Sequence, residues 1–488
     1  MIDPKANPLF IRLFWGGAAV LALGGLVAAE SVVSVGTAAG FLIAAAAAVP
    51  AYLWARGHAC GLPIYPIVCL TYIWTCALPL VQGHQAVQNY STGDQLTAAA
   101  TVIGYLLLGT GVWWTLTASR PRVPRAYWGF PEARSGVFLT FLGCGCVFLS
   151  PLPWMVVSLP GTVHSALRMG TLALAILSAV VLAFQWGRQQ LSMNVKATFA
   201  GLLVVYMLLD AGGLIIHGVA MLTFSTAAAF ALGRGRVPYR LIIVAFVVFA
   251  VLHSGKWGMR KAYWGESPKP FPGYVEFYAE WVSEGVGEFV SGRFDPTAAE
   301  RPQGSSVLSR ASVIHMILLV QTNSPSQVEH LNGSTYEIIP ALVLPRFLST
   351  DKPWSHEGTY ILSTHYGLQT RSQTLSTTIG FGLLAESYAN FGWFGVLALA
   401  VLTGTATGTA ARWGATVPVT SFPGLFGFLV LSAFLQTEAT AGVAVTSLVQ
   451  GTLALLAVGL VLMRSTPNGE RVPERPACLE LAPAGGDA

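Results

Sequence analysis

TAAATVIGYLLLGTGVWWTLTA, residues 97–118, runs for 22 residues without one charged side chain, and SRPRVPR, residues 119–125, follows it with three arginines. A bilayer's hydrocarbon core is about 30 Å thick, and roughly 20 residues of apolar α-helix span it. Arginines set against the end of such a run are the flank expected on the cytoplasmic side. Residues 97–118 therefore read as a transmembrane helix whose C-terminal end lies inside.

The rest of the chain repeats the pattern. Apolar runs near 11–29, 34–54, 63–82, 137–157, 170–187, 197–211, 213–232, 240–253, 388–411, 422–440 and 444–463 bring the expected spans to about twelve. Hydrophobic residues make up 53% of the 488, charged residues only 10%, and the mean hydropathy is +0.60, whereas soluble domains are about a quarter charged. The fold class predicted is all-α: a polytopic membrane bundle with one large helical loop. Its divisions are residues 1–253 (about nine helices), a polar loop over 254–378, three further helices over 379–464, and a Pro-, Gly- and Glu-rich tail over 465–488 expected to be disordered. Lys5 and Arg12 precede an apolar run longer than a signal-peptide core, so the first run is read as a retained helix.

Charge sets the expected topology. With the N-terminus inside, the inside connections carry Arg56; Arg120, Arg122, Arg125 and Arg134; Arg188 and Lys196; Arg234, Arg236 and Arg240; Arg412; and Arg464 and Arg471. The outside connections hold Glu30, then His84 and Asp94, then His164 and Arg168, then Asp210, then a tight turn near Gly442, and are almost free of cations. This places the long loop outside, in the periplasm of a bacterial inner (plasma) membrane, with both termini cytoplasmic. The formal charge of +5 is small for this length, and basic residues cluster at span ends, so no nucleic-acid partner is expected. None of the six cysteines lies in the loop, and Cys144 and Cys146 read as packing residues within a span.

A connection of this length is uncommon unless it folds and works. Glu276, Glu280, Glu284 and Glu288 recur at i, i+4 on a helix over Val275–Val290 and read as a solvated face. Ser305 to Thr322 reads as a second helix, with Arg310, Ile314, Ile317 and Gln321 on one stripe. A guanidinium in an apolar stripe needs an anion, either a loop glutamate or an anionic substrate. Pro340 and Pro345 stiffen the segment that delivers Arg346, and Lys352, Trp354, His356, His365 and Arg371 follow. Glu386, with Tyr388 and Asn390 beyond it, is a carboxylate at the membrane margin: either a helix-packing partner or a functional group.

Arginine forks hold phosphate bidentately, so Arg310, Arg346 and Arg371, with Lys352, suit a diphosphate. Tyr336, Trp354, Tyr388 and Asn390 suit sugar. Glu386, His356 and His365 are the candidate bases. His356-Glu357-Gly358-Thr359-Tyr360 lacks the second histidine of a zinc-protease motif, and there is no CxxC pair, phosphate-binding glycine loop or GxSxG elbow. No metal and no cofactor is expected.

SRAS at Ser309–Ser312, GSTY at Gly333–Tyr336, LPRFLSTDKPW at Leu344–Trp354 and GFGLLAESYANFGWFG at Gly380–Gly395 together resemble the bacterial O-antigen and exopolysaccharide repeat-unit polymerases of the Wzy type. The resemblance covers about residues 305–396 in detail. It implies a GT-C-like integral-membrane glycosyltransferase that uses polyprenyl-diphosphate-linked oligosaccharide as donor and acceptor, releases polyprenyl diphosphate (undecaprenyl diphosphate in bacteria), and works beside flippase and chain-length-regulator proteins. Arg310 and Arg346 match the motif arginines, Lys352 the motif lysine, and Glu386, Tyr388, Asn390 and Gly392 the final block. The alternatives are an O-antigen ligase type, a lipid-linked sugar transporter or flippase, and a scaffold of polysaccharide assembly. Against a transporter, the chain shows no internal repeat, and most spans before the loop are nearly free of charge.

Overall fold

The computed structural model describes residues 8–28, 34–119, 121–130, 134–150, 161–236, 238–264, 267–291, 312–344, 352–375 and 377–468. The helices before the loop are α1 (Pro8–Ala28), α2 (Val35–Ala55), α3 (Ile64–Val81), α4 (Thr92–Thr117), α5 (Ser135–Leu149), α6 (Gly161–Gly187), α7 (Met193–Ala211), α8 (Ile216–Arg234) and α9 (Tyr239–Trp264). In the loop are α10 (Tyr274–Ser291), α11 (Ile314–Asn323) and α12 (Glu357–His365); after it come α13 (Gly382–Gly414), α14 (Phe422–Phe434) and α15 (Ala441–Leu462). Each apolar run overlaps a helix among the described residues. Eight of these helices are long and apolar enough to cross a membrane, and the apolar stretches Phe10–Gly24, Ser135–Leu149, Gly218–Arg234 and Phe422–Phe434 are shorter.

Local chemistry moves several boundaries. The helix expected from residue 97 starts at Thr92, because Ser91 and Asp94 form a capping box: Ser91 Oγ accepts from Asp94 N–H, and the Asp94 carboxylate accepts from Ser91 N–H, both at 3.2 Å. The runs at 197–211 and 213–232 form two helices, as expected, turning at 212–215. The loop's first residues are not irregular, since α9 runs on to Trp264. Of the second loop helix expected over Ser305 to Thr322, residues 305–311 lie outside the described residues and the described helix starts at Ile314. Ser312 and Val313 are outside it, and Arg310 lies outside the described residues. The glutamate face of α10 is solvated at Glu276 and Glu284, as expected, and partly covered at Glu280. Glu280 accepts from Tyr263 Oη at 2.6 Å and Lys269 Nζ at 3.1 Å, which holds its carboxyl below the usual range, while Phe277, Trp281 and Gly285 pack on α9.

Two larger groups of helices build most of the described core, with smaller clusters between α3, α13 and α14 and among α7 to α10. Of the larger two, one joins α2, α3, α4, α11 and α13; the other joins α5 to α8 with α14 and α15. The most extensive packing between long helices among the described residues is α4 on α13. There Gly404 and Gly408 face Gly109, Val112 and Trp113, so the backbones meet where side chains would keep them apart, the usual way helices associate without a hydrophobic driving force. In α3, Pro79 has no N–H to give the Thr75 carbonyl in α-helical register. Val313 N–H supplies the bond at 2.8 Å, so a proline in a membrane helix docks the loop just before α11.

The connections sort onto two ends. At one, Ala126–Gly129 (β1) pairs antiparallel with Arg464–Pro467 (β2), Arg412 Nη1 donates to the Leu116 carbonyl at 2.7 Å, and Cys60 N–H donates to Thr117 O at 2.9 Å. These are the arginine-bearing connections, and the start of the tail expected to be disordered is a strand. At the other end, Arg260 Nη2 donates to Leu214 O at 2.9 Å, Gly382 N–H to Glu438 O at 3.1 Å, and His84 stacks on His315 at 6.4 Å. The connections near His84, Leu214 and Glu438 therefore share an end with the described part of the long loop. Cysteines placed at Tyr127 and Thr466, which are direct partners, should form a disulfide in membranes under mild oxidation, seen by mass spectrometry as a bridged peptide; no bridged peptide would refute the pairing.

Candidate functional site

The site forms where α13 breaks. Phe391 (φ −136°, ψ 16°) and Gly392 (φ 57°, ψ −139°) leave helical geometry, and the second pair of angles is open essentially to glycine alone. A break strips carbonyls of their helical donors. Two find new ones in the loop: Leu331 N–H donates to Ala389 O at 3.0 Å and Asn332 N–H to Asn390 O at 3.1 Å. Asn332 (φ 47°) and Gly333 (φ 97°) make the tight turn that lets the chain do this.

Asn390 completes the joint. Wholly buried, it accepts from Gly333 N–H at 3.0 Å and donates to Thr335 Oγ1 at 2.9 Å and to the Glu386 carbonyl at 2.8 Å. Its amide holds the Gly333–Tyr336 turn instead of facing solvent. Tyr336 stacks on Phe391 at 5.9 Å, and burial pushes its phenol well up, with nearby Glu386 adding to the shift. Tyr388, also buried, meets His330 edge-on at 5.9 Å and Trp393 at 6.1 Å.

Glu386 lies at the centre, with none of its surface exposed. One carboxylate oxygen, Oε2, accepts from Ala441 N–H at 2.6 Å, an otherwise unpaired donor in the first turn of α15. Oε1 makes no hydrogen bond among the described residues, and neither does the buried hydroxyl of Thr440. Gly358 of α12 faces both: a methyl there would stand 3.4 Å from Thr440 Oγ1 and 3.7 Å from Glu386 Oε1. Loop, α13 and the α14–α15 turn thus meet around one carboxylate, with Thr335 beside it.

The expected cation cluster is only partly in view. Arg310 and Arg346 lie outside the described residues. Lys352 Nζ donates to Leu344 O at 2.7 Å, across the segment that carries Arg346. Arg371 pairs through Nη2 with both Glu357 carboxylate oxygens, at 2.8 and 2.9 Å, and its guanidinium lies 5.1 Å from the centre of the Tyr360 ring. That pairing raises its pKa and occupies one edge of the fork. Trp354 and His356 are exposed just before α12, and His365 Nε2 lies 2.9 Å from the Glu329 carbonyl. The structure therefore gathers Glu386, Asn390, Tyr388 and Tyr336 at one point, while Arg371, beyond α12, is paired with Glu357 of that helix.

Sequence reading passed over His330, Gly358 and Thr440 as site residues. Asn332-Gly333, a strong turn pair, was the available signal for the first; nothing in the sequence around the other two announces them. A further cluster stands nearby: His315 Nδ1 lies 3.0 Å from Ser312 Oγ, and burial, with His84 alongside, pushes its pKa down to about 4. No protein-family model, no curated protein and no solved structure matches this chain.

Two outcomes follow. Gly392→Ala should cost about 1–3 kcal/mol of stability and lower the melting temperature in detergent, and an unchanged melt would show that the break tolerates a side chain. For His315, the folded-state pKa lies below the ordinary value, so the unfolded chain takes up a proton that the folded one refuses. Its contribution to stability is complete above about pH 6.5 and is lost as pH falls from there towards 4. His315→Gln should flatten that part of the melting-versus-pH curve; an identical acid limb in the variant would assign the loss to other groups.

Proposed function

We propose that this chain is a membrane glycosyltransferase that joins polyprenyl-diphosphate-linked oligosaccharide units into a polysaccharide, at the outer face of a bacterial inner membrane. The observation that carries the reading is the interlock of the Gly333–Tyr336 and Glu386–Gly392 blocks, far apart in sequence and joined through Asn390 around the buried Glu386. Both blocks are among those that resemble the repeat-unit polymerases, and they meet at the end of the bundle that bears the loop.

The chemistry asked of such a site is definite. A hydroxyl of the acceptor unit attacks the anomeric carbon of the donor's first sugar. A new C–O bond forms, the bond to diphosphate breaks, and polyprenyl diphosphate leaves with the electron pair while the hydroxyl's proton passes to a base. Arg310, Arg346 and Lys352 supply positive charge where the leaving group gains negative charge, and Arg371 adds its unpaired edge. Glu386 Oε1, unspent and close to Gly358, supports a part in handling the hydroxyl; His356 and His365 are the other bases within the loop.

Purified protein in a bilayer, given only a lipid-linked repeat unit, should lengthen it into a ladder and release one polyprenyl diphosphate per link. Glu386→Gln keeps an oxygen for Ala441 N–H but removes the charge, and should cut elongation by about a hundredfold or more. Arg346→Ala should abolish long products at unchanged protein level. Normal ladders from both variants would sink the assignment, as would movement of the lipid-linked unit across the bilayer with no new glycosidic bond.

A further inference from the structure

Glu386 is wholly buried, and the residue lying against its unbonded oxygen is Gly358, near the start of α12. The two ends of that helix are held very differently. At the C-terminal end, Tyr366 Oη and Ser324 Oγ share a hydrogen bond at 2.8 Å, and His365 Nε2 lies 2.9 Å from the Glu329 carbonyl. Leu362, in the same half, is wholly buried in the core built with α11 and α13. Gly367 follows in the left-handed region (φ 67°), with open space where a side chain would stand, so the chain can swivel there. The N-terminal end has no such ties. Glu357 pairs with Arg371, and among the described residues none of Glu357 to Thr364 hydrogen-bonds outside the stretch 354–371. The bond upstream, Lys352 Nζ to Leu344 O, is made by a long side chain that can follow a movement. The seam beneath this end is also poorly joined. Gly358 and Thr359 form one side of it; Glu386 Oε1 and the Thr440 hydroxyl form the other, both buried without a hydrogen bond among the described residues. Unpaired buried polar atoms weaken the contact that buries them.

We infer that α12 is a lid on Glu386, pivoting about residues 365–367 and lifting at Gly358. Raised, it uncovers Glu386 Oε1 and Thr440 Oγ1 together; lowered, it keeps water from both. α11 does not share the movement, since the bundle bonds Val313 before it and Leu331 and Asn332 after it. That the site must open rests on the part proposed above for Glu386. The uneven attachment of α12 does not.

A Cβ at Gly358 would lie 3.6 Å from Thr440 Cβ, a separation that a disulfide accepts. In the full-length chain in phosphatidylcholine nanodiscs, Gly358→Cys combined with Thr440→Cys should therefore bridge under mild oxidation. Without the bridge, Glu386 should react with a water-soluble carbodiimide and glycinamide, read at that residue by mass spectrometry. The bridge should slow that reaction about tenfold or more, and reductant should restore it. Should the pair disturb folding, Thr440→Cys alone carries the test: the thiol introduced there should react with a charged maleimide while Cys69, buried in the bundle core, does not. Carbodiimide labelling equal in bridged and reduced protein overturns the lid. So does failure to bridge in a variant that melts like the wild type, or a thiol at the Thr440 position that resists maleimide as fully as Cys69. None of these reagents is a sugar or a lipid, so the two readings separate. Access that switches with the bridge but no chain elongation removes the polymerase assignment alone, and elongation equal in bridged and reduced protein removes the lid alone.

Discussion

A carbonyl released inside a membrane helix has no water to turn to, and each such group left bare costs several kcal/mol. The break at Phe391–Gly392 releases carbonyls at Ala389 and Asn390, and the backbone of Leu331 and Asn332 answers them. The polar loop is therefore not merely tethered to the bundle by its two ends. It replaces a missing part of a helix, and its position is set with the accuracy of backbone hydrogen bonds. Everything grouped around Glu386 follows from that substitution, because Asn390 and the Gly333–Tyr336 turn are brought into place by it.

The same solution appears in α3, where Pro79 leaves the Thr75 carbonyl open and Val313 fills it. Two helices with defective ladders are thus repaired by one loop, at the residues on either side of α11. The helix between, Ile314 to Asn323, is clamped at both ends, and Gln321 Nε2 adds a bond to Thr101 Oγ1 at 2.6 Å. A loop held at so many points behaves as part of the scaffold, which is what a site needs if it is to hold two large amphiphilic substrates against each other.

Hydropathy was enough to read an all-α membrane bundle, since it is a long-range regularity that survives errors of a few residues, and eight of the expected runs are helices long and apolar enough to cross a membrane. The loop was legible only where composition speaks loudly. A stripe from Arg310 to Gln321 was drawn on helical spacing, yet Ser312 and Val313 are not helical, because Val313 must spend its N–H on Thr75. Asn390 looked available to a sugar; nothing in its neighbours in sequence says that its amide is used three times over. An ion pair with a loop glutamate was one of two readings of Arg310, but among the described residues it is Arg371, expected to face diphosphate, that makes one, with Glu357. The role of Gly358 and Thr440 depends on three segments meeting, which no local pattern encodes.

The small sheet at the opposite end has a meaning in time as well as in space. Ala126–Gly129 is made early in synthesis and Arg464–Pro467 only after α15. The early strand must wait, edge unpaired, while every later helix is threaded. An error in the orientation of any one of them would deliver the final strand to the wrong side of the bilayer. Pairing of β1 with β2 is thus a parity check on insertion: it closes only when the number of crossings between them has come out even.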